Sequence, residues 1–279
     1  MNKSLKHTAV QIMGLPLIGK LIQQTLRIAG KQEAVLKYKR IEAEQKLLNT
    51  HGFQEIKSGI FKGMKYPVND AAGSYLAPKI VGSYESELYP LLESMIAKKQ
   101  YKTAFDVGCA EGYYAVGITR SIAGLKMYAY DTNQEAIALC KTIAQANGVA
   151  NRIVFGAFCS ADTLAGFDFP EPSLIVCDCE GYEAELFTEQ AIHNLRHTDV
   201  LIELHDHFVP GVTGLLTQRF GGTHTLTIIK ATEKQPENYP FLHFLTDEEK
   251  ALVLSEGRRG ILAPPSMQWL FAEAKATQH

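Results

Sequence analysis

The feature that most constrains the fold of this 279-residue chain is a regular alternation of strand-like and helix-like segments that starts at Lys102. Short apolar runs such as 103–107 (TAFDV) and 173–177 (SLIVC) are typical of buried strands. Segments with helical spacing, such as 134–146, lie between them. Strands alternating with helices of this length indicate βαβ units and helices on both faces of the sheet. We therefore predict an α/β fold with a doubly wound, seven-stranded, mostly parallel sheet.

The alternating region sets the predicted domain boundaries. Residues 1–60 read as an N-terminal helical extension, and residues 61–279 as one ligand-binding domain. Within that domain, residues 232–266 form a polar, proline-containing insertion with the size of a lid. Two arginines of the insertion, Arg258 and Arg259, could meet an anionic or hydroxyl-rich substrate.

The first 31 residues alternate basic and apolar side chains, which is the pattern of an amphipathic helix. Such a helix could touch a membrane, but packing on its own domain or on a second subunit of a homodimer is the favoured interpretation. The apolar run 8–18 is far shorter than the roughly 18 residues that span a bilayer.

Charge and cysteine content narrow the class of protein. The net charge of −2 and the pI near 6.5 give no basic field, so we expect no nucleic-acid partner. The five cysteines are an odd number and lie in or beside apolar runs, without a second Cys/His pair at zinc-site spacing. This indicates reduced core cysteines and a reducing, cytoplasmic compartment.

The most specific motif is FDVGCAEGYYAVGI at residues 105–118, where a strand runs through two glycines into a helix. Gly108 and Gly112 allow a tight turn and the close approach of a ligand, beside Asp106 at the strand end. Ala110 stands where a dinucleotide fingerprint has its middle glycine, and Glu111 is a poor neighbour for a pyrophosphate. These differences disfavour NAD, FAD and P-loop nucleotides.

A carboxylate at the end of the next strand adds to this motif. Asp131 ends the run YAYD, at about the spacing from the glycines that a ribose-binding acid has. Its side chain can accept hydrogen bonds from both hydroxyls of an adenosine ribose. The glycine loop and Asp131 together fit S-adenosylmethionine (SAM), which carries less negative charge than a dinucleotide.

The segment CDCEGYE, residues 177–183, places acids directly after a buried strand. Alternation predicts that the two thiols face the packed side while Asp178 and Glu180 face a ligand. Glu183 fits the first turn of the following helix, where it complements the helix dipole. The next strand ends in Glu203 and His205 on one face. Carboxyl ends of neighbouring parallel strands meet at one edge, so these groups should converge.

Two chemistries remain open for this cluster. In the first, His205 is a general base, Asp178 orients the sulfonium or the acceptor, and Glu180 binds substrate hydroxyls or assists the base. In the second, Asp178, Glu203 and His205, with Glu180 nearby, hold a divalent metal ion.

The motifs DVGCAEGYY, CDCEGYE and VLIELH resemble those of the FkbM-type family of class I SAM-dependent methyltransferases over about residues 80–230. The resemblance implies a Rossmann-like sheet whose last strand is antiparallel, and O-methylation of a small hydroxylated metabolite, a sugar or a glycan. It also implies that Tyr84 and Glu85 approach the methionine end of the cofactor. The family positions in this chain are Asp178, Glu180, Gly181, Glu183, Glu203 and His205.

Two other functions stay open beside methyl transfer. One is a nicotinamide-dependent oxidoreductase built on the same kind of sheet. The other is a non-catalytic module that binds SAM or docks on a membrane.

Overall fold

A computed structural model of the protein describes residues 32–51, 54–68, 71–98, 101–256 and 267–275. The predicted helices and basic face within residues 1–31 lie outside the described residues. So do Arg258 and Arg259, together with most of the second half of the predicted lid.

The described chain contains one seven-stranded sheet with the order β3-β2-β1-β4-β5-β7-β6. The first five strands pair in parallel, and β7 runs antiparallel to both of its neighbours. This confirms the predicted doubly wound α/β class and the antiparallel last strand. The strands are β1 Thr103–Val107, β2 Lys126–Tyr130, β3 Ile153–Gly156, β4 Ser173–Cys177, β5 Thr198–Leu204, β6 His224–Lys230 and β7 Gln268–Ala274.

Helices connect these strands and precede the first of them. Short 3-10 turns at Ser86–Leu88, Ala150–Arg152, Pro236–Asn238 and Pro240–Leu242 supplement them. The helices of the described residues are α1 Gln32–His51, α2 Leu76–Val81, α3 Tyr89–Lys98, α4 Tyr113–Ser121, α5 Gln134–Ala146, α6 Ala161–Gly166, α7 Glu183–Leu186, α8 Glu189–Asn194, α9 Val212–Phe220 and α10 Asp247–Leu254.

The sheet separates two apolar clusters, because side chains alternate across each strand. Helices α2 to α5 pack on one face, where Ala104 and Leu174 point, and helices α6 to α9 pack on the other, where Phe105 and Ile175 point. Strands β1, β4 and β5 are buried along their whole length. The order of the strands reverses between β1 and β4, and a crevice forms beyond their carboxyl ends at such a point.

Two short helices differ from the sequence prediction. The glycine- and aromatic-rich residues 52–82 predict short strands and turns, but Leu76–Val81 is a helix that ends at Gly82, a left-handed C-cap with φ of 80°. Helical spacing predicts one helix over residues 183–195, but the segment divides into α7 and α8 because Thr188 caps the second helix by accepting from the N–H of Ala191. Both short helices bear on the site described below.

The described residues fall into two compact units. One combines α1 with Gln235–Ser255, where Lys46 bonds Glu249 of α10 at 3.0 Å and Arg40 donates to the Ser255 carbonyl. The other holds the whole sheet. The predicted roles of residues 1–60 and of the insertion at 232–266 stay predictions. Among the described helices, none has the length and apolarity needed to span a membrane.

We predict that acid destabilises the sheet through His224. This side chain is buried, donates from Nε2 to the Thr198 carbonyl at 3.0 Å, and lies 2.8 Å from the Thr223 hydroxyl through Nδ1. Burial lowers the pKa of His224 in the folded chain. Only the unfolded chain then gains this proton as pH falls below about 6.5, so the free energy of unfolding decreases there.

Urea denaturation between about pH 7 and pH 5 measures this effect. We expect His224→Gln to flatten the pH dependence of unfolding, whereas His193→Gln, at an exposed position of α8, retains the wild-type slope. An unchanged slope in His224→Gln would contradict the assignment.

Candidate active site

A cavity of about 490 Å³ lies at the carboxyl ends of β1, β2, β4 and β5. Its wall includes the predicted residues Gly108, Ala110, Asp131, Asp178, Glu180, Glu203, His205 and Tyr84. Sequence elements that are up to 121 positions apart (Tyr84 to His205) therefore meet in one place. The prediction that the strand ends converge is correct for these residues.

The β1–α4 loop depends on Gly108. This residue has φ of +83°, and a Cβ built on it would lie 1.7 Å from the carbonyl oxygen of Asp178. The N–H groups of Gly108 and Cys109 both donate to the Tyr130 carbonyl, at 2.9 and 3.0 Å. The ends of β1, β2 and β4 thus come together here because residue 108 has no side chain.

Asp131 holds the glycine loop from the end of β2. Its Oδ2 accepts from the N–H of Ala110 at 2.8 Å, and its Oδ1 accepts from the N–H of Asn133 at 2.7 Å. Ala110 itself has φ of 47°, a left-handed conformation. A carboxylate has about four acceptor sites, so both oxygens can still accept from a ligand hydroxyl.

Three predicted cofactor residues do not reach the cavity wall. Gly112 packs against Cys140, where a Cβ would lie 2.4 Å from the sulfur. Glu85 is buried and accepts from the Tyr114 hydroxyl. Asp106 lies behind the loop at 3% exposure. These three residues therefore support the elements around the cavity and do not line it.

Asp106 has an unusual environment. Burial raises its pKa to about 8, and the charges of Asp178 and Asp131 add to the rise. Its Oδ2 has no hydrogen-bond partner among the described residues. At neutral pH this carboxyl group therefore holds its proton to a large extent.

His205 is the centre of the acidic cluster. Its Nε2 lies 3.5 Å from Asp178 Oδ1, 3.5 Å from Glu180 Oε2 and 3.6 Å from Glu203 Oε2. The ring is 1% exposed, whereas the Glu180 side chain is 65% exposed at the cavity rim. Glu203 at the end of β5 and His205 just after it share one face, as predicted, since both side chains line the cavity.

The other ring nitrogen of His205 pairs with Glu183. Their Nδ1 and Oε1 atoms are 2.7 Å apart, and the Glu183 side chain is fully buried. Glu183 does begin α7, as predicted, but it also fixes the orientation of the imidazole. The predicted role of Glu183 was to complement the helix dipole, and the family resemblance marked its position, but no periodicity pairs it with His205.

Charges around His205 decide its protonation. Burial by itself lowers its pKa, but the hydrogen bond to Glu183 and the charges of Asp178, Glu183 and Glu180 outweigh burial, and the pKa is raised overall. Burial and the charge of Asp178 likewise raise the pKa of Glu180. The carboxylates of the cluster thus stabilise a positive charge beside them, which in the protein alone is the proton on His205.

The same geometry matches the alternative metal site. One ligand atom each from Asp178, Glu203 and His205 can be chosen so that all three lie within 4.8 Å of one another. Oxygen and imidazole donors of this kind suit Mg²⁺, Mn²⁺ or Zn²⁺. A carboxylate on the far nitrogen of a ligand histidine, as Glu183 provides, is the usual support for such a site.

The two thiols of CDCEGYE differ in position. Cys177 ends β4 and is buried in the apolar cluster between the sheet and helices α6 to α9, as predicted. Cys179 packs against the same cluster, as predicted, and it also lines the cavity, because the regular strand ends at Cys177. The two sulfurs are 3.5 Å apart, and both cysteines are free thiols.

A buried lysine belongs to the site and has no counterpart in the sequence prediction. Lys79 of α2 lines the cavity and forms an ion pair with Glu111. Its only local signal was the segment LAPKIVG, in which a glycine follows a possible short helix. Glu111 itself points away from the cavity wall, so its charge does not argue against a pyrophosphate there.

Comparisons with known proteins find similar solved structures at low sequence identity only. No family model and no curated protein sequence matches the chain. An O-methyltransferase structure from Klebsiella pneumoniae is 14% identical over 67% of this chain and 79% of its own, with a TM-score of 0.45. The O-methyltransferase TomG from Streptomyces achromogenes, solved with SAM, is 13% identical over 67% and 81%, with a TM-score of 0.44.

A third structure, an O-methyltransferase from Bacillus cereus in complex with SAH, is 11% identical over 66% of this chain and 79% of its own, with a TM-score of 0.45. Identities and TM-scores at this level do not transfer the activity of these proteins to the present chain.

We predict that Gly108→Ala disrupts the site far more than Gly124→Ala. Both glycines have positive φ, +83° and +75°, so each alanine costs about 1–2 kcal/mol of backbone strain. A Cβ at Gly124 meets nothing within 4 Å, but at Gly108 it collides with the Asp178 carbonyl. We expect about 1–3 kcal/mol of additional destabilisation for Gly108→Ala.

Chemical denaturation of both variants measures the difference. Equal losses of stability would show that β1 and β4 are not in close contact at this position.

Proposed function

We propose that this protein transfers the methyl group of SAM to a hydroxyl oxygen of a small hydroxylated metabolite or a glycan. One observation carries the proposal. The glycine loop with Asp131 and the cluster of Asp178, Glu203 and His205 line a single cavity. The first part has the groups to bind adenosine, and the second has the groups to accept a cation and a proton.

In this proposal Asp131 binds the ribose hydroxyls of the cofactor. Gly108 and Ala110 provide backbone near the sugar and the methionine, and Tyr84 also lines the cavity. The sulfonium then faces the acidic cluster, since carboxylates stabilise a nearby positive charge. The acceptor enters from the rim at Glu180, the most exposed acid of the cluster.

The charge of the cavity favours SAM over a nicotinamide dinucleotide. Five carboxylates lie on the wall, Asp131, Asp178, Glu180, Glu203 and Glu256, against a single lysine. The pyrophosphate of NAD carries negative charge and would be repelled, whereas SAM brings a sulfonium. Glu111 does not line the cavity, so its charge has no bearing on the pyrophosphate.

The chemistry is an in-line displacement. Bound SAM would supply an activated methyl group, and transfer of this group to the acceptor oxygen with cleavage of the carbon–sulfur bond would leave the neutral thioether of S-adenosylhomocysteine (SAH). The hydroxyl proton passes to Nε2 of His205, whose ring is held by Glu183. The sulfonium beside the cluster favours the neutral imidazole before transfer, because like charges repel. Asp178 and Glu180 orient the acceptor.

The metal alternative has its own observation, the close approach of donor atoms from Asp178, Glu203 and His205. These three residues would hold the ion, and Glu183 would orient the histidine. A bound divalent ion supplies Lewis acidity that lowers the pKa of a coordinated hydroxyl. In that case Glu180 at the rim would bind the acceptor and exclude water from it.

We further propose membership of the FkbM-type family, supported by the arrangement of Asp178, Glu180, Glu183, Glu203 and His205 around one point. A reducing, cytoplasmic compartment is supported by the five free cysteines. We propose that the N-terminal helices serve packing or homodimer formation rather than membrane contact.

Cofactor binding is tested by isothermal titration with SAM. We expect the wild type to bind and Asp131→Ala to bind about 10- to 100-fold more weakly, because two hydrogen bonds to a charged group are lost. Asp168→Ala, an exposed acid away from the cavity wall, is the matched control and should bind as wild type. No binding by the wild type would overturn the proposal.

Catalysis is tested with methyl-labelled SAM and the small-molecule fraction of a cell extract as acceptor. We expect His205→Asn to lower label transfer by about 10²- to 10⁴-fold, the usual contribution of a general base, while SAM still binds. His207→Asn, at an exposed neighbouring position, should transfer label like the wild type.

Chelation separates the two chemistries in the same assay. If His205 is the general base, we expect methyl transfer to be unchanged after EDTA treatment. Loss of methyl transfer that Mg²⁺ or Mn²⁺ restores would establish the metal-dependent mechanism instead. Full activity of His205→Asn would contradict both.

A further inference from the structure

Lys79 is a buried cation in a cavity of otherwise opposite charge. Its side chain is 3% exposed, yet it forms part of the cavity wall. Among the described residues of that wall it is the sole lysine or arginine, facing five carboxylates. A buried ammonium is costly unless it is paired, so its position calls for an explanation.

The lysine is fixed by a network behind the wall. Glu111, also fully buried, pairs with Lys79 and accepts from the Tyr66 hydroxyl at 2.7 Å and from the N–H of Ala72 at 3.0 Å. The Lys79 ammonium lies 4.8 Å from the ring centroid of Tyr84, another wall residue. These contacts hold the ammonium beside the cavity before any ligand arrives.

A hydroxyl group in the same segment has no partner. The Oγ of Ser74 is buried and makes no hydrogen bond with any described residue, although Ser74 lines the cavity. Buried hydroxyls in proteins are usually paired, so an unpaired one on a cavity wall fits a donor that awaits a ligand oxygen.

We propose that Lys79 and Ser74 bind the α-carboxylate of the methionine part of SAM. This inference rests on the proposed function and adds the residues that recognise the amino-acid end of the cofactor. SAM carries one anionic group and two cationic ones. The carboxylate suits the single lysine, whereas the sulfonium and the α-ammonium suit the acidic remainder of the wall. The polarity of the cavity thus sets the direction in which SAM lies.

The alternative source of an anion is the acceptor, through a carboxylate or phosphate of its own. The two sources predict different losses. If Lys79 binds the cofactor carboxylate, replacing the lysine should not change the affinity for a ligand that lacks the amino-acid part, whatever the acceptor is.

The test is isothermal titration of SAH and of 5′-methylthioadenosine, which has the adenosine and sulfur but no amino-acid part. The variant is Lys79→Met with Glu111→Gln, which removes both charges of the buried pair so that neither is left alone. We expect SAH affinity to fall by about 10- to 100-fold, as for a lost charge-assisted hydrogen bond. Affinity for 5′-methylthioadenosine should be unchanged, which also shows that the variant is folded.

Two further proteins, a Ser74 variant and a control double variant, complete the test. Ser74→Ala should weaken SAH and leave 5′-methylthioadenosine unaffected. A control pair, Tyr101→Phe with Asp199→Asn, removes a buried polar contact that is not on the cavity wall and should bind both ligands as wild type.

Unchanged SAH affinity in the Lys79→Met, Glu111→Gln protein would overturn the inference while leaving the proposed function intact. So would equal binding of SAM and decarboxylated SAM by the wild type. If the wild type binds neither SAH nor 5′-methylthioadenosine, the proposed function fails, and this inference fails with it.

Discussion

The structure depends on one close approach between backbones, at the point where the order of the strands reverses. Gly108 lies so near the Asp178 carbonyl that no side chain fits between them. This contact brings the end of β1 against the end of β4, and the N–H of Asp178 donates to the Val107 carbonyl at 2.9 Å. The glycine loop, Asp131 and the acidic cluster then share one cavity. A bulkier residue at 108 would separate the two halves of the site.

Charged groups are distributed unevenly over the wall of that cavity. The acids at the ends of β4 and β5 surround His205, and Glu183 behind the ring fixes which nitrogen they face. On another part of the wall Glu111 forms an ion pair with Lys79 from behind, which offsets the cost of burying the lysine. A ligand with separated positive and negative groups fits this pattern better than a uniformly anionic one. The two buried ion pairs therefore act on ligand selection as well as on packing.

The sequence was sufficient for those features that periodicity encodes. Alternation along β5 placed Glu203 and His205 on one face, and strand–helix alternation predicted the doubly wound sheet. Side-chain contacts between different elements could not be predicted from the sequence. The pairing of Glu183 with His205 joins a four-residue helix to a strand 22 positions away, and no pattern links them.

Short elements explain the other differences. The six-residue helix that carries Lys79 is too short for a periodic signal, so the lysine was missed. Asp106 was expected at the ligand because it ends the first strand, but its side chain turns behind the glycine loop. Cys179 reaches the cavity because the regular strand stops two residues earlier. Strand ends are where alternation no longer decides which way a side chain points.

The central claim is that one cavity holds SAM between Asp131 and the acidic cluster. A crystal structure of the protein with SAH tests it most directly. We expect the ribose hydroxyls on Asp131 and the sulfur facing Asp178 and His205, with the α-carboxylate toward Lys79. Density for SAH outside this cavity, or in it with the adenosine on the acidic cluster, would contradict the account.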